Sequence, residues 1–589
     1  MKKRQLPPEI EARIVSFMDR NTQASSFRLA CRAAAANFSG PQHTTIRLSR
    51  PVPPQAFAAH WLALGATRGL TLARRRQLLR LTAASGCVAN LEVALEAVGC
   101  LPVNETFAAA AAAGQLGCCK LLRDRCGLPC GAFDTYCGLL SGAYGLRKAL
   151  AAAAGGGHQH VCEWLLAVEP RAWSSAAVGS AARGGHVGLM EWLLERGEAL
   201  GLSAASCIAL ACIAGGAAHG CGLAALRRLW PAYGQPLPPA LKARVLAAAA
   251  GSPTPDWAAK VEWLEAQGCP KSERVAEEAA VTSTVAAATA RAGDDDRRDG
   301  GADDGAEDGD AEALARLTWL QGRGYPYDVW AVRAAADAGR VSTLCYLLGG
   351  GTHTVNADGN GNGNGAPPQL ERSGLPVTAA AKAGSLAALR ALRAAGWPLD
   401  AGRVAAAAAR GGHLHVLAWL LGERGAGAAE GSVRLDAELF AVAAESGSVE
   451  LLAWLRERGC GWDGGAFTEA AKAGAADALK WLVAQGCPME ESGQPYIVAC
   501  GNGDLATAAC LRRLGVPWGP PGAVLGRLQS LAAPKTVLRW LEEQAGGGDG
   551  VRGGLDGLAS LGGGAGGVVG VVGGLGGDGD GGGGNSTDP

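Results

Sequence analysis

Large side chains are scarce in this sequence. Phenylalanine, tryptophan and tyrosine together make up 5% of the 589 residues, and methionine occurs four times. A thick globular core needs bulky residues to fill it, so the shortage points away from one large core and towards thin, closely packed helical layers. Excess charge is missing too: 54 basic residues face 54 acidic ones. A general nucleic-acid binder should show a basic excess or stripe, so the balance leads to the expectation that nucleic acid is not a partner. No window of about 20 consecutive apolar residues is free of polar interruption, and no membrane span is expected. The opening MKKRQLPPEIEARIV has basic residues with no apolar stretch behind them, so it does not read as a secretory signal.

The marks of chemistry are also absent. The 18 cysteines are scattered with no CxxC pair, which excludes a zinc-type double pair and suits reduced thiols in the cytoplasm or nucleus. There is no GxxxxGK[ST], HExxH or GxSxG. Gly220-x-Gly222-x-x-Ala225 has no strand before it, so it is not a dinucleotide loop. Asp358-x-Asn360-x-Asn362-Gly363 matches half of a calcium loop, but its twelfth position is Gln369 where a bidentate Glu is needed. His158-x-His160 and His413-x-His415 fit turn imidazoles bonded to nearby backbone better than metal ligands, since no Cys or acid recurs at ligand spacing. Acid pairs such as Glu542-Glu543 read as exposed helix faces. No catalytic residue, cofactor or metal is expected, and the chain does not read as an enzyme.

What is present is repetition. The stretch Phe440–Asp463, FAVAAESGSVELLAWLRERGCGWD, reads as two short helices and a turn. Val442, Ala443 and Ala444 form a small-residue face, and Ser446-Gly447 ends the first helix. Val449, Leu451, Leu452, Trp454 and Leu455 make a second apolar stripe, with Trp454 expected between repeats. Aligned on the aromatic-Leu step and its closing Gly, about fourteen variants of this unit recur. Their markers are Gly99, Gly127, Trp164, Trp192, Leu229, Trp263, Trp319, Tyr346, Leu392, Trp419, Trp454, Trp481, Leu511 and Trp540. The clearest neighbours lie roughly 27 residues apart, the mark of a solenoid. After the closing Gly comes a recurrent slot, in which Cys100, Cys269, Cys460 and Cys487 read as small apolar plugs.

These units resemble ankyrin repeats. The Leu-Ala-Ala-x-x-Gly-His-x-x-Val-Val-x-x-Leu-Leu-x-x-Gly pattern maps onto AAAARGGHLHVLAWLLGERG and SAARGGHVGLMEWLLERG, with Gly-His turns at His158, His186 and His413. The Thr-Pro-Leu-His entry is absent, so the resemblance implies stacked helix pairs with hairpins shortened to turns. Near the N-terminus, Leu6, Pro7, Glu9, Ile10, Ile14 and Phe17, followed by Ala30-Cys31-Arg32, resemble an F-box. That resemblance implies docking of Leu6, Pro7, Ile10, Ile14 and Phe17 on a Skp-type ubiquitin-ligase linker subunit. The alternative is a helical cap on the first repeat. A looser likeness, over the repeats, to sequences grouped as sphingomyelinase-related implies a lipid phosphodiesterase, but no clustered carboxylate, His and Asn set supports it.

The expected architecture is an all-α, ankyrin-like helical-repeat solenoid with shortened hairpins, a small helical N-terminal domain and a disordered Gly-rich tail. Its parts are an F-box-like segment at 1–40, a helical connector or cap at 41–80, and repeats at 81–281, 311–348 and 371–545. An acidic insertion at 282–310 and the tail at 546–589 are expected to be without fold, and a Gly/Asn-rich insertion at 349–370 interrupts the repeats. The basic run Arg74-Arg75-Arg76 in the connector reads as a solvated helix face. The expected function is protein–protein interaction through the concave face. Arg183, Arg410, Glu445 and Lys472, which flank the Gly turns, are the candidate partner contacts.

Overall fold

A computed structural model describes residues 8–126, 142–202, 206–281, 304–349, 372–422, 433–531 and 533–546. The calcium-loop-like stretch, the Gly/Asn-rich insertion from 350 and the glycine-rich tail from 547 lie outside the described residues, as do Leu6 and Pro7.

The repeating unit shows how the sequence builds the fold. Helix Ala437–Glu445 starts at Asp436, whose Oδ1 accepts the Leu439 amide at 3.0 Å. It ends at Gly447, which takes φ 74°, a conformation open to glycine and strained for other residues. Helix Val449–Glu457 then starts on Ser448, whose Oγ accepts the Leu451 amide at 3.2 Å. At its end Gly459 takes φ 76°, and the Cys460 amide donates back to Leu455 O at 3.1 Å. The same closure recurs at Cys269, Tyr325, Trp397, Cys487 and Val516, each donating to the carbonyl five residues earlier. The first helices end the same way, with amides of residues such as His158, His186 and His413 donating to an alanine carbonyl.

Fourteen such helix pairs follow one another among the described residues, from Leu72–Ser85 with Val88–Val98 to Ala523–Ser530 with Lys535–Gly546. Each of the fourteen units aligned in the sequence contributes one second helix, and no strand is present among the described residues. The fold is all-α and a helical-repeat array. First helices of adjacent pairs pack far more closely than second helices do. Alanines make this possible: Ala443, Ala444, Ala470 and Ala471 are fully buried between neighbouring first helices. Close packing on one side only bends the array, with the first helices inside.

Three expectations need correction. Trp454 is half-buried rather than enclosed between repeats; Leu451, Leu452 and Leu455 fill the core while Trp454 lies 3.8 Å beneath the Arg458 guanidinium. A bulky ring at the edge of a thin layer finds a cation over its face more readily than a cavity. The acidic insertion is not featureless to its end, because helix Asp304–Gly322 begins inside it. Asp310 there accepts the Ser342 and Thr343 amides at 2.8 and 3.0 Å, capping the next repeat's helix. The arginine run is solvated only at Arg74: in helix Leu72–Ser85, Arg75 is buried and Arg76 half-buried.

At the N-terminus, helix Pro8–Ser16 leaves Ile10, Ile14 and Phe17 exposed, Phe17 at 82%. Within the 41–80 connector or cap, helix Pro54–Trp61 covers the first pair, packing on Val88–Val98 and burying Phe57. Asn90 secures it by donating to Val52 O at 2.8 Å.

Candidate functional site

The candidate contacts sit where first helices end. Arg410 closes Ala401–Gly411, Glu445 closes Ala437–Glu445 and Lys472 closes Gly465–Ala473, so equivalent positions of three consecutive repeats form a row. The row is joined by charge. Arg410 Nε donates to Glu445 Oε2 at 3.1 Å, and Lys472 Nζ lies 3.4 Å from Glu445 Oε1. Lys472 also donates to Glu469 Oε2 at 3.0 Å, and this bond, with the Glu445 charge, raises its pKa above the usual lysine range despite partial burial. Arg410 and Lys472 are about half-exposed, so each pair contributes at most about 1 kcal/mol. The row presents alternating sign on a rim without being a main source of stability.

Arg183 lies apart, at the end of Ser175–Arg183 in the fourth pair. Its neighbours are His219 on the fifth and Glu278 on the seventh. Burial, with the charges of Arg183 and Lys260, pushes His219 down to about 4. Glu278 touches solvent, yet the surrounding wall desolvates its carboxyl and raises its pKa, opposed by the Arg183 charge. The structure therefore brings Arg410, Glu445 and Lys472 together and leaves Arg183 outside their row.

The turn histidines bond to the preceding repeat. His413 and His415 pair through Nε2 with Lys382 O and Gly384 O, both at 2.9 Å, and His160 with Gly114 O at 3.0 Å. In the middle repeats cations do the same work: Arg316 Nη1 donates to Ala250 O and Ser252 O, and Arg340 Nη1 to Ala280 O. The fully buried Lys260 donates to Ala218 O, Cys221 O and Ser252 Oγ, and burial pushes its pKa down to about 8. A donor at a helix C-terminus satisfies orphan carbonyls and suits the helix dipole. These side chains staple one repeat to the next. Among the described residues no group of three or more His, Cys, Asp or Glu is placed to hold a metal ion.

The slot cysteines are buried plugs with one added role. Cys460 and Cys487 thiols donate to Asp436 O and Asp463 O at 3.3 and 3.4 Å, and burial pushes both up to about 11. At such pKa values the thiolate is scarce at neutral pH.

Sequence reasoning missed the first repeat's part in the rim. Arg75, on Leu72–Ser85, places its guanidinium against the Asp504 carboxylate of the thirteenth pair, Nη1–Oδ1 2.7 Å and Nη2–Oδ2 2.6 Å. Arg75 Nη2 also donates to Gly474 O at 3.3 Å, and Arg76 Nη2 to Asn502 O at 2.7 Å. Two backbone bonds cross the same joint, Leu101 N–H to Gly503 O and Ala506 N–H to Gly99 O, both 2.9 Å. The start of the array thus docks on the turns of its twelfth and thirteenth pairs, directly beside Lys472. One signal was readable: the turn histidine gives way to an acid in Gly503-Asp504.

No family model matches the chain, and no curated protein matches it. Among solved structures it is similar to the pentatricopeptide repeat protein PPR10 from maize, at 12% identity over 92% of this chain and 79% of that one, with a TM-score of 0.26. It is also similar to PPR10 in complex with an 18-nt psaJ RNA element, at 14% identity over 85% of this chain and 82% of that one, with a TM-score of 0.22. No family model supports the ankyrin and F-box resemblances, and the solved structures found are of a pentatricopeptide repeat protein; both resemblances are corrected, and the Skp-type partner falls with them. The exclusion of nucleic acid is corrected as well, since the second of these structures holds an RNA element. Its physical weakness is that net charge averages over the whole chain and is blind to how charge is distributed locally. No helix among the described residues is long and apolar enough to cross a membrane. The chain is an all-α helical-repeat scaffold.

Proposed function

We propose that this protein is a non-catalytic adaptor that binds a protein partner along the rim where its first helices end. The observation that carries this reading is the row Arg410–Glu445–Lys472, three charged side chains of alternating sign held at one position of consecutive repeats. A repeat array presents side chains at a fixed spacing, and alternating sign suits the mixed charges of a polypeptide better than a phosphate backbone, which would favour one sign. The inner wall beside the row is built of small, half-buried groups such as Ala406, Ala407 and Ala441, which leave room for an extended ligand.

The test is crosslinking of the full chain in cells, comparing wild type with Arg410→Glu/Lys472→Glu. The pair is exposed, so its reversal should leave the fold intact. Proteins crosslinked to wild type and lost from the variant are the expected outcome. An unchanged set, or RNA as the species crosslinked at the rim, would sink the reading.

A further inference from the structure

The joint between the first repeat and the turns of the twelfth and thirteenth has the make-up of a receptor and its ligand. On the receptor side, the Asp504 carboxylate is fixed without help from Arg75. It accepts the Thr507 amide at Oδ1 (3.1 Å) and the Thr507 hydroxyl at Oδ2 (2.6 Å), both within its own helix start. Gly474 O and Asn502 O stand beside it as further acceptors. Gly474 leaves the space that the ligand fills: a Cβ there would lie 2.6 Å from Arg75 Nη2 and 2.8 Å from Leu72 Cβ. On the ligand side, Arg75 is held in place by its own repeat, donating to Val98 O at 3.0 Å and Leu70 O at 3.2 Å. Both halves are therefore preorganised before they meet, which lowers the entropy lost on docking.

The joint is also the weak link of the closed array. Adjacent repeats share whole helix faces, whereas this contact rests on one ion pair, a few hydrogen bonds and small apolar touches such as Ala506 on Gly99. A buried Arg–Asp pair gains little net stability, because its attraction is offset by desolvation, and on opening both groups recover water. Opening therefore leaves no unpaired buried charge behind, and the contact is poised to exchange.

We propose that the turns bearing Gly474, Asn502 and Asp504 form a docking site for a helix carrying two consecutive arginines, which the first repeat occupies in cis as an autoinhibitory contact. A basic helical peptide segment of a partner takes the place of Leu72, Arg75 and Arg76, and the array opens as it binds. The site stands on contacts within this chain and does not depend on the Arg410–Glu445–Lys472 row.

The experiment uses a fluorescein-labelled synthetic peptide copying residues 67–86 and the full-length protein, read by fluorescence anisotropy. Arg75→Ala/Arg76→Ala empties the site and is expected to bind the peptide at least tenfold more tightly than wild type. Adding Asp504→Asn to that variant is expected to abolish binding, since Asn keeps the helix cap but loses the charge. Equal binding by wild type and the emptied variant, binding that survives Asp504→Asn, or no binding by the folded emptied variant would each overturn the proposal. A second measurement needs no variant. In wild type the Leu101 and Ala506 amides, which cross the joint, should exchange with deuterium faster than the Cys460 and Cys487 amides within repeats, and faster again with peptide added. Exchange as slow as the within-repeat amides, unmoved by peptide, overturns it as well.

Discussion

Arg75 and Asp504 stand 429 positions apart in sequence and meet through two parallel hydrogen bonds, with side chains 4% and 0% exposed. The pairing is bidentate, the geometry in which a guanidinium fits a carboxylate best. It closes the helical array on itself, and helix Leu72–Ser85 is both the first element of the array and a contact on its far end.

Asp504→Asn should change shape more than stability. The asparagine keeps the cap on Leu505–Arg513, while the arginine loses its counter-charge and leaves the joint. Small-angle scattering should give a larger radius of gyration at unchanged helix content by circular dichroism. An unchanged radius would mean that the backbone bonds at Leu101 and Ala506 suffice to hold the ends together.

Leu455→Ala and its neighbour Trp454→Ala should differ sharply. Leu455 is fully buried, so its truncation should cost about 2–5 kcal/mol in chemical denaturation. Trp454 is half-buried beneath Arg458, and losing that contact should cost about 1 kcal/mol. Comparable losses at the two positions would mean the ring carries core packing after all.

Two glycines of nearly equal φ provide a control for the joint. Gly459 has φ 76° and open space around a would-be Cβ, so Gly459→Ala should cost only the backbone strain of about 1–2 kcal/mol. Gly474 has φ 64° and would collide with Arg75, Asp504 and Leu72, so Gly474→Ala should also expand the protein in scattering. Equal compactness of the two variants would show that the joint tolerates the methyl.

Stability should fall at both ends of the pH scale for identifiable reasons. Burial lifts Cys460 and Cys487 from 9.0 to about 11, so between these values the unfolded chain loses protons that the folded chain keeps, and stability falls as pH rises. On the acid side His219 is pushed from 6.5 to about 4 by burial and by the Arg183 and Lys260 charges. Between pH 6.5 and 4 the unfolded chain binds a proton that the folded chain refuses, and stability falls as pH drops. Thermal melts of Cys460→Ala/Cys487→Ala and of His219→Gln should each show a flatter slope in their own window; slopes matching wild type would assign the titration elsewhere.

Local features of the fold were legible because their causes are local. The positive-φ glycines, the alanine faces and the cysteine plugs each depend on residues within a few positions, and they recur often enough to reveal one another. Glu445 and its partners were legible only as positions beside turns. Their ion pairs link residues about one repeat apart, beyond the reach of helical spacing.

The sequence by itself determined that the chain folds into helix pairs, that glycine turns end their helices, and that no one pair can bury its own apolar face. The tertiary structure alone decided what the repeats do together. Small alanine faces on one side bend the array, and that accumulated bend carries Arg75 to Asp504. Two residues of an arginine run that looks solvated in sequence, Arg75 and Arg76, thereby become the latch of the molecule, because curvature summed over many repeats is written in no single one of them.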